Sequence, residues 1–167
     1  MALLGRALRK LLAPTVNELI QEALLHQPLV YGDRNRLHVD PTAVINNALF
    51  NLSSGEVWIG KHAFFGHNVC LFTGTHEFTA FGVERQVAVP KSGRDIVVGE
   101  GAWISSNATV VGPCRIGEHS VVGVCALVLE DVPAYTVVAG VPAKARRSIP
   151  SPEEVAERAT RSDGGAT

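Results

Sequence analysis

Val98, Ile104, Val110, Ile116, Val122 and Val128 stand six residues apart, and all are β-branched aliphatics. A helix buries every third or fourth residue and a simple strand every second. A sustained period of six instead means that the backbone turns a corner at fixed intervals and sends one bulky side chain inward from each flat segment. Four residues after each aliphatic come Ala102, Ala108, Cys114, Ser120, Ala126 and Val132, mostly small, as a tight corner requires. Gly99, Gly117 and Gly123 directly follow three of the aliphatics, where backbone freedom is useful. The pattern predicts an all-β chain built as a hexapeptide solenoid, three hexapeptides to each triangular coil.

The same period recurs upstream at Ile59, Phe65 and Leu71, followed after four residues by Ala63, Val69 and Thr75. Leu71 and Val98 are 27 residues apart, which is no multiple of six, so a segment leaves the coil between them. This excursion is placed at residues 73–95. A shorter run, Val39 and Ile45, precedes Ile59 by 14 residues and implies an irregularity near residues 51–55. The solenoid is thus expected over residues 37–147, with an N-terminal helical cap at 1–36 and a C-terminal helix and tail at 148–167.

Within the cap, Leu3, Leu4, Ala7, Leu8, Leu11 and Leu12 share one face of a predicted helix, with Arg6, Arg9 and Lys10 on the other side. Pro14 should end or kink it, and a second helix is expected from Val16 to about Leu25, stopped by Pro28. Packing on the open end of the solenoid is one expectation for the first helix. Contact of residues 1–13 with an anionic membrane surface is the other, since a cationic amphipathic helix can lie there. The segment lacks the charged leader, long apolar core and cleavage site of a signal peptide. At the other end, Ser151 reads as an N-cap with Pro152 at the first helical position, and residues 162–167 as a disordered tail.

Composition narrows the partners. The 167 residues suit one domain, and a net charge of −1 gives no support for nucleic-acid binding. No run approaches the roughly 18–20 apolar residues that span a bilayer. Cys70, Cys114 and Cys125 fall within the repeats, where packing is the ordinary role, and reduced thiols fit a cytoplasmic protein.

In a solenoid, function sits on departures from the wall. His76, in Thr73-Gly74-Thr75-His76-Glu77-Phe78, is held by a rigid coil on one side and covered by a loop on the other. That is a good setting for a general base, although a lone histidine is more often a loop anchor.

Three segments then carry a family resemblance. Ile59-Gly60-Lys61 through Thr75-His76-Glu77 and Val83-Glu84-Arg85, the run Val98-Gly99-Glu100-Gly101-Ala102-Trp103-Ile104, and the ending Val138-Ala139-Gly140-Val141-Pro142-Ala143-Lys144 resemble the hexapeptide acyltransferases, in particular the galactoside and maltose O-acetyltransferase group. The resemblance covers roughly residues 37–149. It implies a left-handed parallel β-helix, a handedness that runs against the usual right-handed crossover rule and is taken from the family alone. It also implies a homotrimer with active sites between subunits and acetyl-CoA as co-substrate, with no metal. His76 then falls on the catalytic base. Trp103, Ser105, Ser106 and Val124 fall on CoA contacts, with Ser106 the oxyanion donor through its backbone N–H or hydroxyl and Val124 against the pantetheine arm. Lys144 and Arg147, with Arg146 beside them, fall on the CoA phosphate contacts. Asn46, Asn47, Ser54, Glu77 and Arg85 fall on the acceptor side.

Two departures stand out. Ser54 replaces an acidic sugar contact, and Leu129-Glu130 replaces a Thr-Lys pair that the family offers to CoA. The acceptor class implied is a sugar or glycan hydroxyl, without an assigned identity. Two other readings compete: a metal-dependent hydratase of the γ-carbonic anhydrase type using His62, His67 and His76, and a non-catalytic solenoid binding module.

Overall fold

The computed structural model describes the backbone of residues 2–163 and the side chains of residues 10–157. Its body is a three-sided parallel solenoid. Face A stacks β1 (Leu29–Tyr31), β3 (Leu49–Asn51), β6 (Cys70–Phe72), β9 (Thr109–Val111) and β12 (Leu127–Val128). Face B stacks β2 (Leu37–Val39), β4 (Val57–Ile59), β7 (Ile96–Val98) and β10 (Cys114–Ile116). Face C stacks β5 (Phe64–Phe65), β8 (Trp103–Ile104), β11 (Val121–Val122) and β13 (Thr136–Ala139). It is closed by β14 (Lys144–Ser148), which runs antiparallel to β13. The first rung begins at Leu29, which pairs with Leu49, so the coil starts earlier than the expected residue 37.

The six aliphatics of the main run are at most 1% exposed, and each small residue four positions on is also buried. Register then builds interior columns. Phe50, Leu71 and Val110 lie over one another on face A, and Ile59, Val98 and Ile116 on face B. Each fully buried side chain of this kind contributes about 1.5–3 kcal/mol, so stability resides in the wall. Thr75 does not continue its column. Thr73 is the buried residue, its hydroxyl donating to the Asn51 carbonyl at 2.7 Å. Burial, and secondarily the nearby Asp131 carboxylate, pushes the Cys114 thiol up to about 12, which keeps it a neutral packing group.

Two N-terminal helices were expected and one is found. The helix α1 (Ala2–His26) runs through Pro14 without a break. The helix is bathed in solvent here, with Lys10 to Leu12 exposed, so a carbonyl freed by the proline is hydrated and not orphaned. Nor does α1 lie packed along the solenoid: Leu11, Leu12, Val16, Leu19, Ile20 and Leu24 are exposed. It is tied at its last turn, where the Asn47 side-chain amide donates to the Leu24 carbonyl at 2.8 Å and His26 meets the His67 ring edge-on. The side chains of residues 1–9, on which the membrane-contact expectation rests, lie outside the described residues. Between β6 and β7 the excursion carries the short helix α2 (Gly82–Val87). The final helix α3 (Pro152–Asp163) starts as expected: Ser151 Oγ accepts from the Glu154 N–H, and the Glu154 carboxylate accepts from the Ser151 N–H at 3.0 Å. It includes Ser162 and Asp163, which were expected in the tail; residues 164–167 lie outside the described residues.

Candidate functional site

The three corners of the coil sort the candidate residues. The excursion leaves from the corner between faces A and B. Its root is closed by Arg94, whose Nε donates to the Thr73 carbonyl at 2.8 Å. Gly74 sits so close to the Asn51 side chain that any Cβ there would collide with it. Ser54 is fully buried beneath this root, its hydroxyl accepting from the Thr75 N–H at 3.4 Å and its own N–H donating to the Thr73 hydroxyl at 3.3 Å. The acceptor role expected for Ser54 is therefore corrected. A side chain with no exposure anchors the excursion and meets no ligand.

His76 is exposed at the start of the excursion, and its Nδ1 lies 2.9 Å from the Arg85 carbonyl oxygen. A carbonyl can only accept, so Nδ1 carries the proton and Nε2 presents its lone pair. Arg85 is held in turn. Its Nε donates to the Ala80 carbonyl at 2.6 Å, one terminal nitrogen donates to the Phe78 carbonyl at 3.1 Å, and the guanidinium lies 5.0 Å from the Phe81 ring centroid. Arg85 thus braces the loop that orients His76. The Glu77 carboxylate accepts from the Thr79 hydroxyl and, at 3.0 Å, from the Thr79 N–H, and these bonds hold its pKa below the usual value. The hollow beside His76, about 410 Å³, is lined by His76, Gly82, Arg85 and Gln86, all excursion residues.

The donor-side candidates gather at another corner, between faces C and A. Ser106 Oγ accepts from the His67 N–H at 3.1 Å, and the Ser106 carbonyl accepts from the Cys125 N–H at 3.1 Å. A Cβ at Gly66 would collide with Ser106, so glycine is what lets the two rungs close here. Val124, 65% exposed, continues the corner one rung on. The Gly140–Ala143 turn ends it, with the Ala143 N–H donating to the Leu127 carbonyl at 2.7 Å. From there β14 carries Lys144, Arg146 and Arg147, all exposed. Lys144 Nζ lies 3.5 Å from the Glu130 carboxylate, and Arg146 donates to the Ala139 carbonyl at 3.2 Å.

Trp103 lies on the outer side of face C next to this corner, stacked on Phe64 with ring centroids 5.6 Å apart. Phe64 was not singled out from sequence. The available signal was its place one residue before the interior Phe65, an outward position that a bulky aromatic occupies only exceptionally. Asn46 and Asn47 also lie at this corner, with their amides engaged. Asn46 donates to the Phe65 carbonyl at 2.8 Å, and Asn47 to the Asn68 side chain at 2.9 Å. Asn68 donates onward to Asn107, so these asparagines form a ladder that ties the rungs.

The hydratase reading needs His62, His67 and His76 to converge. His62 occupies a left-handed turn between faces B and C, His67 the corner between C and A, and His76 the excursion. Within one chain they point from three separate corners. Among the described residues, no group of three or more His, Cys, Asp or Glu is placed to hold a metal ion.

Residues 95–129 match the family model described as bacterial transferase hexapeptide (six repeats). The chain is 27% identical over 142 residues to a galactoside O-acetyltransferase of Lactococcus lactis, covering 84% of this chain and 67% of that protein. It superposes on a hexapeptide-repeat acetyltransferase of Vibrio cholerae complexed with acetyl coenzyme A at a TM-score of 0.53, with 24% identity over 82% of this chain and 79% of that one. A galactoside acetyltransferase in complex with coenzyme A superposes at a TM-score of 0.52, with 23% identity over 77% of this chain and 63% of that one. The coil with its broken wall therefore has the left-handed parallel β-helix fold seen in these hexapeptide-repeat acetyltransferases, and residues 95–129 carry the hexapeptide repeat itself. The proteins it resembles include galactoside O-acetyltransferases.

Proposed function

We propose that the protein transfers an acetyl group from acetyl-CoA to a hydroxyl of a sugar or glycan acceptor, by direct attack within a ternary complex. The observation that carries this reading is the His76 Nδ1 hydrogen bond to the Arg85 carbonyl, which leaves Nε2 as a fixed proton acceptor. Nε2 takes the acceptor hydroxyl proton as its oxygen bonds to the thioester carbonyl carbon. The carbon–sulfur bond then breaks, and the proton passes from the imidazolium to the departing CoA sulfur. Negative charge on the thioester oxygen in between calls for a fixed donor, and the Ser106 hydroxyl, already accepting from His67, keeps its own proton for that purpose. Arg147 and Lys144 supply cations for the CoA phosphates.

His76 and Ser106 stand at opposite edges of face A, so one chain does not assemble both halves of this site. A homotrimer in which the A–B corner of one subunit meets the C–A corner of the next would do so. The outer side of face A supports that assembly: Leu29, Tyr31 and Leu129 are 57%, 58% and 50% exposed. The sugar class is supported by the kinship to a galactoside O-acetyltransferase and by the Phe64–Trp103 surface beside the corner.

The test is His76→Ala, assayed by CoA thiol release over a panel of sugar acceptors. Turnover should fall by roughly 10²–10⁴-fold while the thermal shift with acetyl-CoA is nearly unchanged. Wild-type turnover in the variant would make His76 a loop anchor.

A further inference from the structure

The outer side of face B carries a second, differently built cleft. Register sets His38, Trp58, Val97 and Arg115 side by side on successive rungs. His38 stacks on one side of the Trp58 indole, with centroids 3.7 Å apart and planes 18° from parallel, and is itself held by the Glu56 carboxylate at 2.9 Å. On the other side the rung carries only Val97. Parallel strands lie about 4.8 Å apart, so Trp58 and Arg115, two rungs apart, leave a slot about one ring thick over the valine. The resulting cavity, about 520 Å³, is lined among others by Trp58, Gly93, Asp95, Val97, Arg115 and Asp131.

Its two carboxylates are fixed. Asp95 Oδ1 accepts from the Glu56 N–H at 2.9 Å and Asp131 Oδ1 from the Arg115 N–H at 2.7 Å. Among the described residues, Oδ2 of each and the Arg115 guanidinium have no hydrogen-bond or ion-pair partner. Gly93 and Asp95 belong to the returning arm of the excursion, and Arg94 between them clamps Thr73, three residues before His76. The cleft therefore adjoins the loop that bears the candidate base.

We propose that this slot is a carbohydrate subsite that takes one uncharged pyranose ring, stacked on Trp58, of a glycan acetylated elsewhere along its length. Its role in acceptor choice rests on the glycan-acetylating reading above. An indole face with fixed carboxylates and a guanidinium at its rim matches a sugar, which offers C–H bonds on its face and hydroxyl donors and acceptors around its edge. The two carboxylates disfavour anionic sugars and the phosphates of a nucleotide, whereas the cations suited to those phosphates lie on β14 of face C. An acceptor held both here and at His76 is at least a disaccharide.

The chain has two tryptophans, so Trp103→Phe leaves Trp58 as the sole indole reporter. Titrating that variant, without acetyl-CoA, with maltotriose, cellotriose, galactotriose and tri-N-acetylchitotriose should give saturable quenching by at least one of them. Calorimetry of that sugar with the natural sequence should show Kd rising about tenfold in Trp58→Ala and several-fold in Arg115→Ala. No quenching by any of the four overturns the proposal, as does saturable quenching by CoA in their place, which would make the slot a purine site. Binding needs no acetyl transfer. Sugar binding without any acetylation would leave the subsite standing and sink the enzymatic reading. Acetylation with a KM indifferent to Trp58→Ala would do the reverse.

Discussion

Lys144 meets the Glu130 carboxylate at 3.5 Å with both side chains largely in water, so the pair contributes little to folding. Its effect is on binding: Glu130 competes with any phosphate for the Lys144 charge. Glu130→Gln should lower KM for acetyl-CoA two- to fivefold at low salt, with kcat unchanged and the difference shrinking at 0.5 M salt. An unchanged KM at low salt would remove Lys144 from the CoA site. At this scale the sequence was uneven in what it revealed. His76 could be picked out because it stands where the period breaks, but its tautomer depends on a carbonyl nine residues away that no spacing rule reaches. Ser54 was misassigned because its surroundings are made by Thr73 and Thr75, brought over it only when the coil closes. Asn46 and Asn47 fall on the acceptor side by resemblance, whereas their amides are committed to the corner ladder.

Among the elements, the strands were the most legible, since one inward aliphatic per flat segment is a direct imprint of the coil. The helices were less so, because α1 is fixed by no core and runs through Pro14 against the local propensity of that residue. A proline in a helix interior costs about 3 kcal/mol relative to alanine. Pro14→Ala should therefore raise hydrogen-exchange protection of amides 10–20 by up to about 100-fold, while protection of the strands stays constant. Equal protection in both forms would mean that Pro14 does not weaken the helix. The excursion is the intermediate case. Its limits were legible from the 27-residue step, whereas α2 and its bracing by Arg85 have no periodic signature.

For the molecule as a whole, the separation of His76 and Ser106 onto different corners bears directly on assembly. Light scattering should give about three times the 17.8 kDa chain mass, and dilution to monomer should abolish acetyl transfer. A monomer that retains full activity would require the two corners to act without each other. That separation was not visible in the repeat pattern, which assigns residues to corners but does not say which corner meets which. It also bears on how the chain could change. Thr73 and Arg94 are pinned together at 2.8 Å, so the wall on either side experiences the excursion as an ordinary corner. Loop-closure entropy rises by only about 0.6 kcal/mol for each doubling of length. The excursion is in effect a cassette: outside the segment from His76 to Arg85 that sets the candidate base, it can be lengthened, shortened or exchanged while every rung keeps its register. Diversification of acceptor choice in such a molecule has a route that leaves the proposed acetyl-CoA corner, and the fold that supports it, untouched.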